Sequence, residues 1–399
     1  MELLIKNANI VDKAHSFYGD LYIENGIIKE ISDNIDKNCE VIDAKGRIVM
    51  PAFIDTHAHF RDPGFTHKED IETGSKAAVR GGYTTVTLMG NTNPVSSTLE
   101  VIDMVENKSK SIGLVDAYQA ATITKNLDGK TLAHLDEFEG KDRIKVITDD
   151  GKGVCDSNIM YKAMLRAKKN DWIIMSHAED HDLSKICMRL AENMMTHRDV
   201  ELAKYTGARL HMSHVSTIEA LEYIKKGKEE GANLTCEVTP HHIFLDTTKS
   251  SYRVNPPIRE KEDVDAIIKA IKLGVVDCIG TDHAPHTDEE KQKGAPGMTG
   301  IELAFSICYT KLVKEEGLSL NKLSDLMSGR AGEILKINKG KIQIGYQADL
   351  VILDTEKEFV VDRQKLVSKS KNTPFDGIAL KGDIDMTIKA GKIVYSKEA

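Results

Sequence analysis

Four histidines and two aspartates stand where a metal ion could use them: His57 and His59 in Asp55-Thr56-His57-Ala58-His59, then Asp150, His177, His214 and Asp282. At neutral pH these are uncharged imidazoles and carboxylates, the donors that zinc and similar borderline ions accept. His57 and His59 are two residues apart, so on a strand they face the same side and can grip one ion. An isolated His-x-His pair is a weak signal, and His177 or His214 taken singly reads as an ordinary hydrogen-bonded core histidine. What unites them is position, because each falls just after a short apolar run of strand type. Six donors exceed what one tetrahedral zinc needs. A division that works puts His57, His59 and Asp282 on one ion and His177 and His214 on a second. A carboxylate then bridges the two. Asp150 is placed to be that bridge, with Asp149 its rival, since adjacent strand residues point to opposite faces and only one looks inward. Two ions ~3.5–4 Å apart can share a hydroxide.

The elements that must position these groups are legible too. Eight apolar runs, at 48–54, 84–89, 114–120, 144–148, 172–176, 209–213, 233–238 and 275–280, alternate with segments that read mostly as helices. Residues 217–228, with Ile218, Leu221 and Ile224 at helical spacing, and residues 303–312 are two of these. Near-continuous apolar strands between helices imply parallel pairing, covered on both faces. Eight such units predict an α/β fold, a (β/α)8 TIM-type barrel over residues 50–339, whose C-terminal strand ends converge on one mouth. The donors then meet there from five strands. Both chain ends differ from this middle, with short β runs and an Asn25-Gly26 hairpin signal. They predict one small discontinuous β-sandwich domain formed by residues 1–49 and 340–399.

Composition narrows the function class. With 41% hydrophobic residues the chain can bury a core, and no run approaches the ~18–20 apolar residues of a membrane span. A formal net charge of -8 without a long basic stretch argues against a nucleic-acid surface. The start lacks the basic flank and apolar core of a secretory signal. The six cysteines are scattered with no CxxC pair, which fits a reducing cytoplasm.

The motifs together resemble the class I dihydroorotases of the amidohydrolase superfamily. They are Asp55-Thr56-His57-Ala58-His59-Phe60-Arg61-Asp62-Pro63-Gly64, Met89-Gly90-Asn91-Thr92-Asn93-Pro94 and Thr148-Asp149-Asp150-Gly151. Further on come Cys236-Glu237-Val238-Thr239-Pro240-His241-His242, Arg253-Val254-Asn255-Pro256-Pro257-Ile258-Arg259 and Gly280-Thr281-Asp282-His283-Ala284-Pro285-His286. The resemblance spans nearly the whole chain. It implies reversible hydrolysis of dihydroorotate to N-carbamoyl-L-aspartate, the third step of pyrimidine synthesis, with two zinc ions per subunit. It implies His57, His59, Asp150, His177, His214 and Asp282 as metal ligands. Substrate would be bound by Arg61, Asn91, Asn255 and His286, with backbone near Pro296-Gly297 closing over the ring. Many relatives bridge their metals with a carboxylated lysine; Thr148-Asp149-Asp150-Gly151 offers none, which speaks against a hydantoinase or allantoinase. The interval from His177 to His214 is shorter than the class I pattern, which bears on contacts in a homo-oligomer or with a carbamoyltransferase partner.

The mechanism expected is attack of a metal-activated hydroxide on the ring amide carbonyl, with Asp282 as general acid and base. Arg61 offers a planar fork for the substrate carboxylate, its alternative being an ion pair with Asp62. Asn91 and Asn255 suit amide edges, although Asn91-Thr92-Asn93-Pro94 also has turn chemistry. His286 sits on the rim, His283 reads as support for Asp282 or as a packing residue, and His241 and His242 read as structural. Residues 287–300 suit a lid, or equally a solvated connector. A non-catalytic barrel kept as partner of a carbamoyltransferase is the rival from another class, and such relatives tend to lose ligands that this chain retains.

Overall fold

The computed structural model describes residues 2–397. Strands from both chain ends form an eight-stranded sheet. Its order is Lys392–Ser396, Ala379–Lys389, Leu350–Val360, Ile48–Pro51, Glu2–Val11, Ser16–Glu24 and Ile27–Ser32, with Glu40–Asp43 paired to Glu2–Val11. Asn25-Gly26 and Ala390-Gly391 make two-residue hairpins, with φ of 51°, 78°, 47° and 76°, the left-handed pairs that match the twist of the flanking strands. Alternate residues, among them Leu3, Ile5, Leu21, Ile23, Leu350 and Ile352, bury a common core. A bridge from Ile27 to Gln347 brings the edge strand back beside the segment entering Leu350–Val360, so the sheet curls over that core.

The apolar run at 48–54, expected as one barrel strand, is divided. Ile48–Pro51 pairs with residues 350–353 in the terminal sheet, and the first barrel strand is Phe53–Ala58. Pro51 has no N–H for a ladder, and the Ala52 N–H goes to Asp349 O at 2.9 Å, so the chain changes sheets here. Periodicity alone cannot divide a continuous apolar run.

The other barrel strands are Tyr83–Leu88, Asp116–Gln119, Val146–Ile147, Ile173–Ser176, Arg209–Met212, Leu234–Val238 and Cys278–Ile279. Three and five of the eight form two parallel sheets. Bridges from Ala121 to Ile147 and from Ala58 to His283 join them at both edges and close the ring. Closure sets the end of the eighth strand against the first. There Asp55 accepts from Thr281 N at 2.9 Å and Thr281 Oγ1 at 2.5 Å, and from His57 N at 3.1 Å, fixing both motif segments together.

Helices Ile71–Arg80, Leu99–Ile112, Ser157–Asn170, Met188–Thr206, Ile218–Glu229 and Lys261–Lys272 follow the first, second, fourth, fifth, sixth and seventh barrel strands. Thr217 caps Ile218–Glu229 by accepting from Ala220 N, where the apolar spacing placed a helix. The segment at 303–312 starts as the helix Ala304–Cys308 and widens into π-helical turns over Tyr309–Glu315. Between the third and fourth strands stand only the 3-10 turns Lys125–Leu127 and Ala133–Glu137. Among the described residues no helix is long and apolar enough to cross a membrane.

Candidate metal and substrate site

The residues singled out in the sequence meet at the C-terminal mouth of the barrel. His59, Arg61, Asn91, Asp150, His177, His214, Asn255, Asp282, His286, Pro296 and Gly297 all line one cavity of about 210 Å³. His57, fully buried, lies with them: its Nε2 is 3.2 Å from Asp150 Oδ1 and 3.7 Å from Asp282 Oδ1.

Asp150 is the hub. Its carboxylate is 3.4 Å from His59 Nε2, 3.3 Å from His177 Nδ1 and 3.6 Å from His214 Nε2. Asp282 Oδ1 closes the other side, 3.2 Å from His59 Nε2. Donor atoms of His57, His59 and Asp282 lie within 4.8 Å of one another, as do those of His57, Asp150 and His214. Asp149 points the other way and accepts from Thr124 N at 3.0 Å and from the Thr124 hydroxyl. The chain beyond Val146–Ile147 thus turns Asp150, and not Asp149, toward the cluster.

The tautomers are set from outside. His57 Nδ1 donates to Glu237 Oε1 at 2.8 Å, His59 Nδ1 to Asn91 Oδ1 at 3.0 Å and His177 Nε2 to Glu179 Oε2 at 2.9 Å. Each acceptor holds a proton on the outer nitrogen and turns the inner one toward the cluster. His177 Nδ1 faces His214 Nε2 at 2.8 Å, so the two imidazoles turn these nitrogens toward each other and toward Asp150. His57 Nε2 and Asp150 Oδ1 are buried with no hydrogen-bond partner among the described residues. Orphaned acceptors of this kind are costly, and cations satisfy them. The donor set fits a metal.

Electrostatics agree. Burial would raise Asp150, but the His57, His177 and His214 imidazoles around it hold it well below the carboxylate range. Burial likewise opposes, and His59, His57 and His214 outweigh it, in keeping Asp282 ionised. His177, despite burial, is pushed up to about 9 by Asp150 and Glu179. This is a pocket that attracts positive charge. Three of its residues also hold left-handed backbone, Arg61 at φ 59°, His214 at 36° and Asp282 at 45°. Such conformations cost of order 1–3 kcal/mol each for residues with side chains and cluster at functional sites.

Arg61 does not pair with Asp62, which instead meets Lys108 at 2.6 Å. Its Nε donates to Pro285 O at 3.2 Å and its Nη2 to His286 Nε2 at 3.3 Å. Burial, then Arg61 and Lys68, push His286 down to about 4, so this imidazole is neutral and accepts. Asn255 Nδ2 donates to Glu179 Oε2 at 2.7 Å. His242 lies outside the cluster and ties the loop that carries Asn255, with Nε2 3.1 Å from Pro256 O. His283 packs beneath the loop at 287–300, accepting from Gly300 N at 3.2 Å.

Sequence reasoning passed over Glu237 and Glu179 as working groups. Glu237 is completely buried, accepts from His57, from His211 Nε2 at 3.1 Å and from the Thr56 hydroxyl, and is held well below the carboxylate range by both histidines despite burial. A Cβ on Gly280 would sit 2.5 Å from Glu237 Oε2, so glycine is what leaves room for this carboxylate. The only sequence signal was an acid near the end of a barrel strand. Glu237→Gln should weaken metal affinity about 10–100-fold, because the outer partner orients its histidine and raises its basicity. Chelator competition on metal-free protein measures this, and an unchanged affinity would remove Glu237 from the site.

Comparison with known proteins fits this geometry. Residues 48–394 match the model of the amidohydrolase family. The chain is 60% identical over 398 residues to a dihydroorotase of Clostridium botulinum (strain Eklund 17B / Type B), covering all of both chains. It is 39% identical to one of Aquifex aeolicus (strain VF5), over 99% of each. Among solved structures, dihydropyrimidinase from Brevibacillus agri NCHU1002 has the same fold at TM-score 0.91 and 24% identity, over 100% of this chain and 96% of that one. A D-hydantoinase (dihydropyrimidinase) from Thermus sp. superposes at 0.89 and 27%, with the same coverage. The chain belongs to the amidohydrolase family and, within it, to the dihydroorotases.

Proposed function

We propose that this enzyme interconverts dihydroorotate and N-carbamoyl-L-aspartate, opening the ring amide in one direction and closing it in the other, as a step of pyrimidine biosynthesis. The observation that carries the reading is the ring of inward nitrogen and carboxylate atoms about Asp150, with Arg61 on the wall of the same cavity. Identity of 60% to a curated dihydroorotase supports the substrate.

In this reading His57, His59 and Asp282 would hold one zinc ion, His177 and His214 a second, and Asp150 would bridge them. Such a pair, when bound, lowers the pKa of water to about 7 and polarises a carbonyl. Asp282 takes the proton from the attacking water and returns it to the leaving ring nitrogen, a service worth roughly 10²–10⁴ in rate. Arg61, anchored through Pro285 and His286, presents its remaining N–H groups to the substrate carboxylate. Asn91, whose oxygen is taken by His59, keeps its amide N–H for the substrate, and Asn255 keeps its oxygen.

Dihydroorotate carries a carboxylate that hydantoin lacks, so hydantoin in the site would leave the remaining N–H groups of the half-buried Arg61 without an anionic partner. A site built to bind a polar group rejects analogues without it strongly, so kcat/KM for dihydroorotate should exceed that for hydantoin by roughly 10³-fold or more. Assays of dihydroorotate, hydantoin and allantoin side by side provide the test. Equal or better turnover of either latter compound would refute the substrate assignment.

A further inference from the structure

Lys291 lies on the short helix Asp288–Gln292, in the loop that carries Pro296 and Gly297. Its ammonium donates to three backbone carbonyls, Arg253 O at 2.8 Å, Ala295 O at 2.8 Å and Gly297 O at 2.9 Å. It also lies 4.1 Å from the centre of the Tyr252 ring. Three acceptors use the full donor capacity of an ammonium. The neighbouring acids are engaged elsewhere: Glu290 with Lys68 at 2.9 Å and His286 at 3.2 Å, Asp288 with Arg363 at 3.2 Å. Lys291 therefore spends its charge on carbonyl dipoles and a π face, with burial and the Arg253 guanidinium pushing it down to about 8.

Those carbonyls belong to two separate segments, and both line the reaction cavity. One leads into Asn255, and the other carries Pro296 and Gly297. Gly297 N adds a bond to Arg253 O at 3.1 Å. Gly297 has φ 127°, and a Cβ there would fall 2.8 Å from Ala284 Cβ, so the loop backbone lies directly on the segment that follows Asp282.

We propose that Lys291 is a positioning residue for the reaction: its ammonium clamps residues 253–255 and 295–297 into one wall that holds Asn255, Pro296 and Gly297 against the bound ring. The proposal rests on the dihydroorotase reading above. Lys291→Met keeps the stem and removes the donors. Losing them should raise KM for dihydroorotate about tenfold, the scale of one charge-assisted hydrogen bond. Because Lys291 itself bonds backbone carbonyls and no imidazole or Asp282, kcat should change less than about threefold, the pattern of uniform binding. Lys291→Arg, which keeps the charge, should recover part of the loss. Hydrogen exchange on substrate-free protein should quicken at residues 292–298 in Lys291→Met, while Phe53–Ala58 stays protected.

Unchanged KM with unchanged exchange would overturn the clamp. So would a fall in kcat at constant KM, or faster exchange throughout the barrel in both variants, which would mark a merely structural lysine. Wild-type protein inactive on dihydroorotate would strike the substrate reading instead. The exchange measurement needs no substrate and would still decide the clamp.

Discussion

Asp282→Asn should lower kcat by about 10²–10⁴ while leaving a folded protein. Asp282 is buried, with Oδ1 3.2 Å from His59 Nε2, and His59, His57 and His214 hold it ionised against the cost of burial. Asparagine matches its shape but carries neither the negative charge nor a transferable proton. Folding should survive, because the position has φ 45° and asparagine is the residue with a side chain that tolerates left-handed backbone best. Turnover at saturating dihydroorotate, with metal content and melting temperature measured on the same sample, checks this. A folded, metal-loaded Asp282→Asn enzyme at wild-type rate would exclude Asp282 as the proton carrier.

Much of this site was legible because a parallel barrel converts sequence position into spatial position. His57, His59, His177, His214 and Asp282 each follow an apolar run, and strand ends in a closed ring share one mouth. The choice between Asp149 and Asp150 was not legible. Alternation would apply if both lay on the strand, but it ends at Ile147, and the turn that follows, with Thr124 holding Asp149, decides which one faces the cluster. Glu237 escaped because it acts across space, on a histidine 180 residues away, and Glu179, only 2 residues from His177, because an acid carries no local mark of its partner. Lys291 reads in sequence as one more solvated lysine in a polar loop, since its acceptors are backbone carbonyls that any sequence supplies.

The fold followed the same division. Asn25-Gly26 announced its hairpin because its conformation is local, and the spacing of Ile218, Leu221 and Ile224 announced the helix Ile218–Glu229 for the same reason. The split at Pro51 was hidden inside an unbroken apolar run, because both of its halves are buried, one in each unit. The π-helical turns over Tyr309–Glu315 were hidden likewise, since apolar spacing alone does not distinguish them from regular helix.

Removal of metal should have the largest effect of all. Four imidazoles and two carboxylates with their bare atoms turned inward supply no strong nucleophile of their own, and water near pH 7 attacks an amide poorly. Protein stripped by exhaustive chelation should therefore lose turnover of dihydroorotate and stay folded, since the barrel core lies outside the cluster. Stepwise return of zinc, followed by activity and by bound metal on the same samples, is the decisive measurement. Recovery that climbs to a break at two equivalents per chain is expected, matching the two donor sets that share Asp150. Full velocity in chelated protein, or zinc that binds elsewhere and restores nothing, would contradict the assignment of these six side chains to a metal pair.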